Sequence, residues 1–354
     1  MPGRRVRQYI LASMVFLLVC TFLKFQDFTI PTSLSSSQQF NEFSFLNRSF
    51  NDFLPVQDAE FLCTVNGLQL YQNRSHPRKI YDLILISTEL DWLEIRMNEL
   101  NSQVDYFVVV EATETFTGNP KPLIFKENYS RFAQFADKIV YHALDLSHLR
   151  GKSTWEREAY SRNALFTSIF PSMFPPVAPS MYDVILVSDT DEIPRPETLT
   201  VLRNCEFPDR VTLRSRFFYY SFQWQHVGND WHHPQATFYA GLNKTILPED
   251  LRMHGGKDIW NASWHCSSCF STVAEMAKKI ESFSHTEYNK PQFRDPQEIV
   301  RRVRNGLDLF DRESEKYEKV PASDVPGYLK LNKDRFPFLL DRDPEDGNFE
   351  DYHP

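Results

Sequence analysis

Glycine is scarce, 11 of 354 residues, and none stands in a GxGxxG or GxxxxGK[ST] spacing. That argues against a dinucleotide fingerprint or a P-loop, both of which need backbone without Cβ atoms at fixed intervals. Positive charge is also short, with 39 Lys and Arg against 47 Asp and Glu for a net charge of −8. Nucleic-acid binding normally leaves a basic face, so nucleic acid is not an expected partner. Cysteine is limited to five, and no apolar run is as long as a full bilayer span. What the chain does have is 42% hydrophobic and 14% aromatic residues, enough to bury the core of one large domain or one and a half.

The most informative segment is VILVSDTDEIP, Val184 to Pro194. A short β-branched run reads as an interior parallel strand, and ligands in open α/β sheets collect at the carboxyl ends of such strands. Asp189 and Asp191 fall on one side of an extended chain, so both reach one hard ion directly or through water. Mg²⁺ or Mn²⁺ held by one or two carboxylates keeps positions open for phosphate oxygens, which points to a nucleotide. The bland alternative is an acidic loop capping the helix that starts near Pro196.

The amino terminus carries Arg4, Arg5 and Arg7 ahead of an apolar segment from Tyr9 to Leu23, closed by Lys24. This pattern predicts a signal anchor over 9–25, against a cleaved signal peptide or an ordinary buried helix, with residues 1–8 cytosolic and the remainder luminal, a single-pass type II arrangement in a Golgi or ER membrane. Five Asn-x-Ser/Thr sites, Asn47, Asn73, Asn128, Asn243 and Asn261, agree with luminal exposure. Beyond Cys20 in the anchor, Cys63, Cys205, Cys266 and Cys269 predict two disulfides, with the pairing left open. A zinc site would want a second Cys or His pair at matching spacing, which is missing.

Residues 26–60 lack a sustained period and read as a stem. From Lys79 onward strands and helices alternate: Ile80 to Ser87, Asp91 to Leu100, Val104 to Val110, Tyr129 to Asp137, Ile139 to Tyr141, and Trp155 to Ile169 ahead of the acidic strand. Such alternation predicts a mainly parallel sheet flanked by helices. The second half is aromatic and strand-like over Val211 to Phe222, Ala236 to Ala240 and Ala262 to Phe270, suggesting either an antiparallel edge of that sheet or a second, smaller antiparallel sheet. Helices are expected over Ser271 to Ser282 and Pro296 to Asn305. Trp224, Trp231, Tyr239, Trp260 and Trp264 interleave there with His226, His232 and His233; flat rings with polar neighbours suit sugars, although any one of them equally suits the core.

The motifs SDTDEIP, ELDWLEIRMNEL, FVVVEATETFTGNPKPLIF, WEREAYSRNAL, SWHCSSCF and SFSHTEYN all occur in this one chain. Together they resemble the beta-1,4-mannosyl-glycoprotein 4-beta-N-acetylglucosaminyltransferases, glycosyltransferase family 17, from about Cys63 to Asn305. The resemblance implies a GT-A-like fold, a glycosyltransferase domain over 61–320 with a C-terminal tail over 321–354, and a UDP-GlcNAc donor. It also implies a divalent metal, a mannose acceptor on an N-glycan, and inversion. Carried over, Asp189 and Asp191 are metal ligands with His285 as a further one, and Asp189 also meets the donor. Glu111, Arg157 and Arg162 are expected on the donor, the arginines as clamps for pyrophosphate. Where many such enzymes place a carboxylate base, this chain reads Trp264, His265, Cys266, so the base stays open among His265, Asp258 and Glu192.

Two competing classes remain. A haloacid-dehalogenase-type phosphohydrolase also opens with a strand and DxD, but wants Thr or Val where Ile193 stands. A catalytically silent sugar-binding relative is the other, opposed by the intact acids.

Overall fold

The computed structural model describes residues 52–354; the expected cytosolic segment, the anchor, most of the stem and Asn47 lie outside the described residues. Among those described, no helix is long and apolar enough to cross a membrane.

Helix α1 (Val56–Val65) and the two-residue strand β1 (Gln69–Leu70) lead into strand β2 (Ile80–Ile86), helix α2 (Leu90–Leu100) and strand β3 (Tyr106–Ala112). Next come the one-turn helix α3 (Ile124–Glu127), a 3-10 segment over Tyr129–Lys138, strand β4 (Ile139–Leu144) and helix α4 (Thr154–Thr167). Strand β5 (Val184–Asp189) then enters beside β2. β5, β2, β3 and β4 pair in parallel in that order. Their aliphatic residues are buried on both faces, so the sequence shows runs rather than alternation. α4 starts at a capping box in which Ser153 and Glu156 satisfy each other's backbone amides, and that fixes the helix at the strands' carboxyl edge.

The remaining elements are strand β6 (Glu192–Pro194), helix α5 (Pro196–Asn204), strands β7 (Cys205–Glu206), β8 (Val211–Tyr219), β9 (Ser221–His226) and β10 (Gln235–Phe238), helix α6 (Pro248–Met253) and strand β11 (Lys257–Ser267). Helices α7 (Val273–Ser282) and α8 (Pro296–Asn305), strand β12 (Tyr317–Lys319) and helix α9 (Gly327–Leu331) complete the chain.

Three expectations need correction. The aromatic strands do not form a separate sheet: β10 bridges β5 and β8, giving one mixed sheet in the order β12-β9-β8-β10-β5-β2-β3-β4, with β11 and β6 attached. The small separate sheet is β1 with β7, where Leu70 faces Cys205. The run Val211 to Phe222 is two strands, because Tyr220 turns the chain at φ 66°. Residues 321–354 are not a tail, since Leu329, Phe336, Phe338 and Leu339 enter the main core. Asp324 also ties this segment down, accepting from Arg195, Arg216 and Trp264. Arg342, wholly buried, donates to the carbonyls of Tyr220, Phe270 and Gly347.

Candidate active site

The register brings the strand ends level: Asp189 on β5 lies opposite Leu85 on β2, and Ile86 opposite Glu111 on β3. Past Asp189 the chain turns through Thr190 and Asp191 into β6, which β11 captures by pairing His265 with Glu192. One side chain holds this turn from beneath. Arg96 of α2 is fully buried and forks onto Asp82 at 2.8 and 2.6 Å. Its other arm donates to the carbonyls of Asp189 at 3.1 Å and Glu192 at 2.7 Å, and it also bonds Ser188 Oγ. The guanidinium therefore brackets the acidic turn at both ends, and a bidentate fork of this kind fixes angle as well as distance.

The two acids live differently. Asp189, 44% exposed in its side chain, receives Arg252 at 3.1 Å and stands 3.6 Å from Arg162. Burial pushes its carboxyl up, but Arg252 and Arg162 outweigh that and hold it below the usual range. Asp191 is buried and accepts no side-chain hydrogen bond among the described residues; Lys279 Nζ stands at 3.9 Å and His265 Nδ1 at 3.8 Å. Burial raises its carboxyl above the usual range, with Lys279 and His265 only partly offsetting it. Lys279 reaches in from α7 and also faces Glu89 at 3.6 Å.

Among the other expected site residues, Arg162 does reach the acids, bonded also to Glu158 and Glu249. Arg157 turns instead to Glu114 and the carbonyl of Leu149, because five positions along a helix point elsewhere. Glu111 is at the predicted strand end but caps α3, accepting from the backbone of Phe125 at 2.9 Å and Lys126 at 3.3 Å, and from Tyr141. Its carboxylate is consumed internally. Glu192 is likewise consumed, taking Arg252 at 2.7 Å, Trp231 Nε1 at 2.8 Å and the amide of Asp189 at 2.9 Å. Burial raises it, yet Arg252 drives it well below the ordinary carboxylate range, which disqualifies it as a base. Asp258 forks with Arg214 seven residues back along β11 from His265, about 20 Å at the rise of a strand.

His265 stands against the acids, its ring packed on both Phe217 at 4.9 Å and Trp231 at 5.1 Å, which also touch each other at 5.5 Å, and its Nδ1 is buried with no hydrogen-bond partner among the described residues. His285 is half-exposed, paired with Glu287 at 2.7 Å and set edge-on to Trp155. Among the described residues no three His, Cys, Asp or Glu side chains converge as a metal cluster, so His285 is not brought to the two aspartates here. The disulfides are Cys63–Cys205 and Cys266–Cys269. Asn73, Asn128, Asn243 and Asn261 are all exposed.

Sequence reasoning missed Arg96, Arg252 and Lys279. Arg96 sits inside a motif whose helical period shows only its apolar neighbours. Arg252 and Lys279 arrive from distant helices, and no local pattern marks them. Both acids nevertheless fit a hard divalent cation: two carboxylates one residue apart, one of them without a hydrogen bond, at the open edge of a parallel sheet.

Comparison with known proteins places this geometry. The chain is 28% identical over 304 residues to a human (Homo sapiens) beta-1,4-mannosyl-glycoprotein 4-beta-N-acetylglucosaminyltransferase, covering 76% of this chain and 56% of that one. It is 27% identical over 304 residues to the Rattus norvegicus protein of the same description, covering 76% and 55%. The chain thus spans about half the length of the curated relatives it matches. Among solved structures, a mannosyltransferase from Pyrobaculum calidifontis in complex with GDP-Man and Mn²⁺ aligns at a TM-score of 0.35 and 11% identity, over 69% of this chain and 68% of that one. So distant a likeness carries no argument about activity. The model of glycosyltransferase family 17, in contrast, matches residues 7–344, nearly the whole chain, and the protein belongs to that family.

Proposed function

We propose that this chain transfers N-acetylglucosamine from UDP-GlcNAc to a mannose of a glycoprotein N-glycan, in β1,4 linkage and with inversion at the anomeric carbon. The observation that carries the reading is the acidic turn, with Asp189 and Asp191 at the carboxyl end of a buried parallel strand, gripped by Arg96. Family membership and the relatives' activity support it. Asp189 and Asp191 would hold Mn²⁺ or Mg²⁺, which when bound neutralises the leaving diphosphate. Arg162, Arg252 and Lys279 surround the same carboxylates and place further positive charge where phosphate oxygens would lie.

In an inverting transfer the acceptor hydroxyl attacks the anomeric carbon as its bond to the diphosphate breaks, and a base takes the proton. With Glu192 and Asp258 locked in ion pairs, His265 is the base among the three considered. A phosphohydrolase fits less well, because Asp189 is engaged by Arg252 and approached by Arg162 rather than free as a nucleophile. The bridged cysteines and exposed sequons support a luminal Golgi or ER setting, with the N-terminal segment as membrane anchor.

The test is a donor and acceptor screen of the full chain in detergent with Mn²⁺, product linkage read by NMR. UDP-GlcNAc with a mannose-containing N-glycan acceptor should be the productive pair. Phosphate release from simple phosphate esters, without transfer, would sink the reading.

A further inference from the structure

Beyond Asp191 and Glu192, on the side away from the parallel strands, aromatic rings from several elements form a contiguous run. His265 of β11, Phe217 of β8 and Trp231 form a three-ring cluster with centroids 4.9 to 5.5 Å apart, the His265 plane within 20° of Trp231 and 18° of Phe217. Phe217 continues to His226 of β9 at 5.1 Å, and His226 to Tyr317 of β12 at 5.7 Å. Trp231, Phe217, His226 and Tyr317 are all partly exposed.

Three polar atoms in this run, His265 Nδ1, His226 Nδ1 and the Tyr317 hydroxyl, are buried without a hydrogen-bond partner among the described residues. Native folds rarely leave such groups unpaired, and three in one cluster point to a partner beyond the described residues. Gly228 packs its backbone directly against the His226 ring, where a Cβ would stand 2.7 Å from Cε1 and 3.3 Å from Nδ1. Beside the cluster, Glu315 Oε2 lies 3.1 Å from His226 Nε2, and Arg312 is paired with Asp308 at 2.6 Å. The surface therefore offers ring faces and hydrogen-bonding atoms rather than net charge, the chemistry that recognises a neutral polyhydroxylated ring and not a phosphate.

We propose that Phe217, His226, Trp231, His265 and Tyr317 form a saccharide subsite that seats a pyranose of the acceptor glycan beside the acidic turn. It rests on the transferase reading and adds where the acceptor lies: the aromatic edge of the sheet, opposite the strand ends that would meet the nucleotide.

The test measures binding, so it needs no turnover. Full-length protein is titrated with a mannose-containing N-glycan core oligosaccharide by saturation-transfer NMR and calorimetry, and in parallel with UDP-GlcNAc. In Tyr317→Phe, which removes a single oxygen, the oligosaccharide Kd should rise about 3- to 10-fold, the span of one hydrogen bond. UDP-GlcNAc affinity and thermal midpoint should hold. Phe217→Leu should weaken the oligosaccharide by more than about 10-fold through lost ring contact. No saturation transfer to the wild-type protein's oligosaccharide, or an unchanged Kd in Tyr317→Phe with a lowered midpoint, overturns the subsite, the latter marking the hydroxyl as structural. Oligosaccharide binding by the wild type that weakens in both variants, with no UDP-GlcNAc binding by any of them, would support the subsite while overturning the proposed donor.

Discussion

In the parallel half of the sheet, Asp82, Arg96 and Glu111 are fully buried and each is bonded within the chain, whereas across β10 His226, His265 and Tyr317 keep buried atoms with no partner. Both halves border the same acidic turn. Under the proposed subsite the difference separates two tasks: Arg96 and its partners fix where the carboxylates stand, and the unbonded ring atoms beside the turn are where a sugar would dock. Single unpaired atoms occur in the parallel half too, at Gln103, Arg157 and Arg203, so it is the clustering of three beside exposed rings that distinguishes the other half.

The strongest way to break this division is at Arg96. Arg96→Met strands Asp82 without its counter-ion and should lower unfolding free energy by about 3 to 5 kcal/mol in urea titration. Arg96→Lys keeps the charge but loses the fork, so it should unfold less readily than the Met variant while still transferring poorly. Equal, full activity in the Lys variant would show that the bracket does not position the acids.

Removing Cys63–Cys205 by double serine substitution should cost about 2 to 5 kcal/mol. The Cys266–Cys269 pair, closing a separation of 3 rather than 142 residues, should cost less in the same calorimetric scan. A larger loss at Cys266–Cys269 would mean that this bridge also holds the receptor half.

Glu111→Gln sharpens the scaffold assignment. As a cap it should lose about 1 kcal/mol of stability and leave the KM for donor unchanged. A raised donor KM at constant stability would return Glu111 to the donor site.

A further effect concerns pH. Burial, with Arg252 beside it, holds the His233 imidazole down at about 4. The unfolded chain takes up that proton from about pH 6.5 downward, and the folded protein only near 4. Stability is therefore complete above the unfolded value and falls as pH drops through the window between them. His233→Asn should flatten the decline in thermal midpoint between pH 7 and 5, and an unaltered slope would place the titration elsewhere.

The parallel half was largely legible in the sequence, because strands covered on both faces read as aliphatic runs and the acids follow such a run directly. The helix over Pro296–Asn305 emerges with the expected bounds, Asp295 capping it and Gly306 ending it at φ 59°. The other half was harder to read. Tyr220 breaks a run that looks continuous, and β11 joins β8 in parallel across a long excursion that no local pattern announces. In the site, Asp189, Asp191 and His265 stood out by residue type and place. Glu111 stood out for the same reason but serves α3, since sequence shows where a carboxylate is and not which donors reach it. Arg252, 63 residues from Asp189, became visible only through the fold.

The most direct test of the central claim is calorimetric titration of UDP-GlcNAc into the full chain, with Mn²⁺ and with chelator, for wild type and Asp191→Ala. Binding should require the cation in wild type and vanish in a variant that circular dichroism shows to be folded. Equal affinity with chelator, or undiminished binding by Asp191→Ala, would contradict the account.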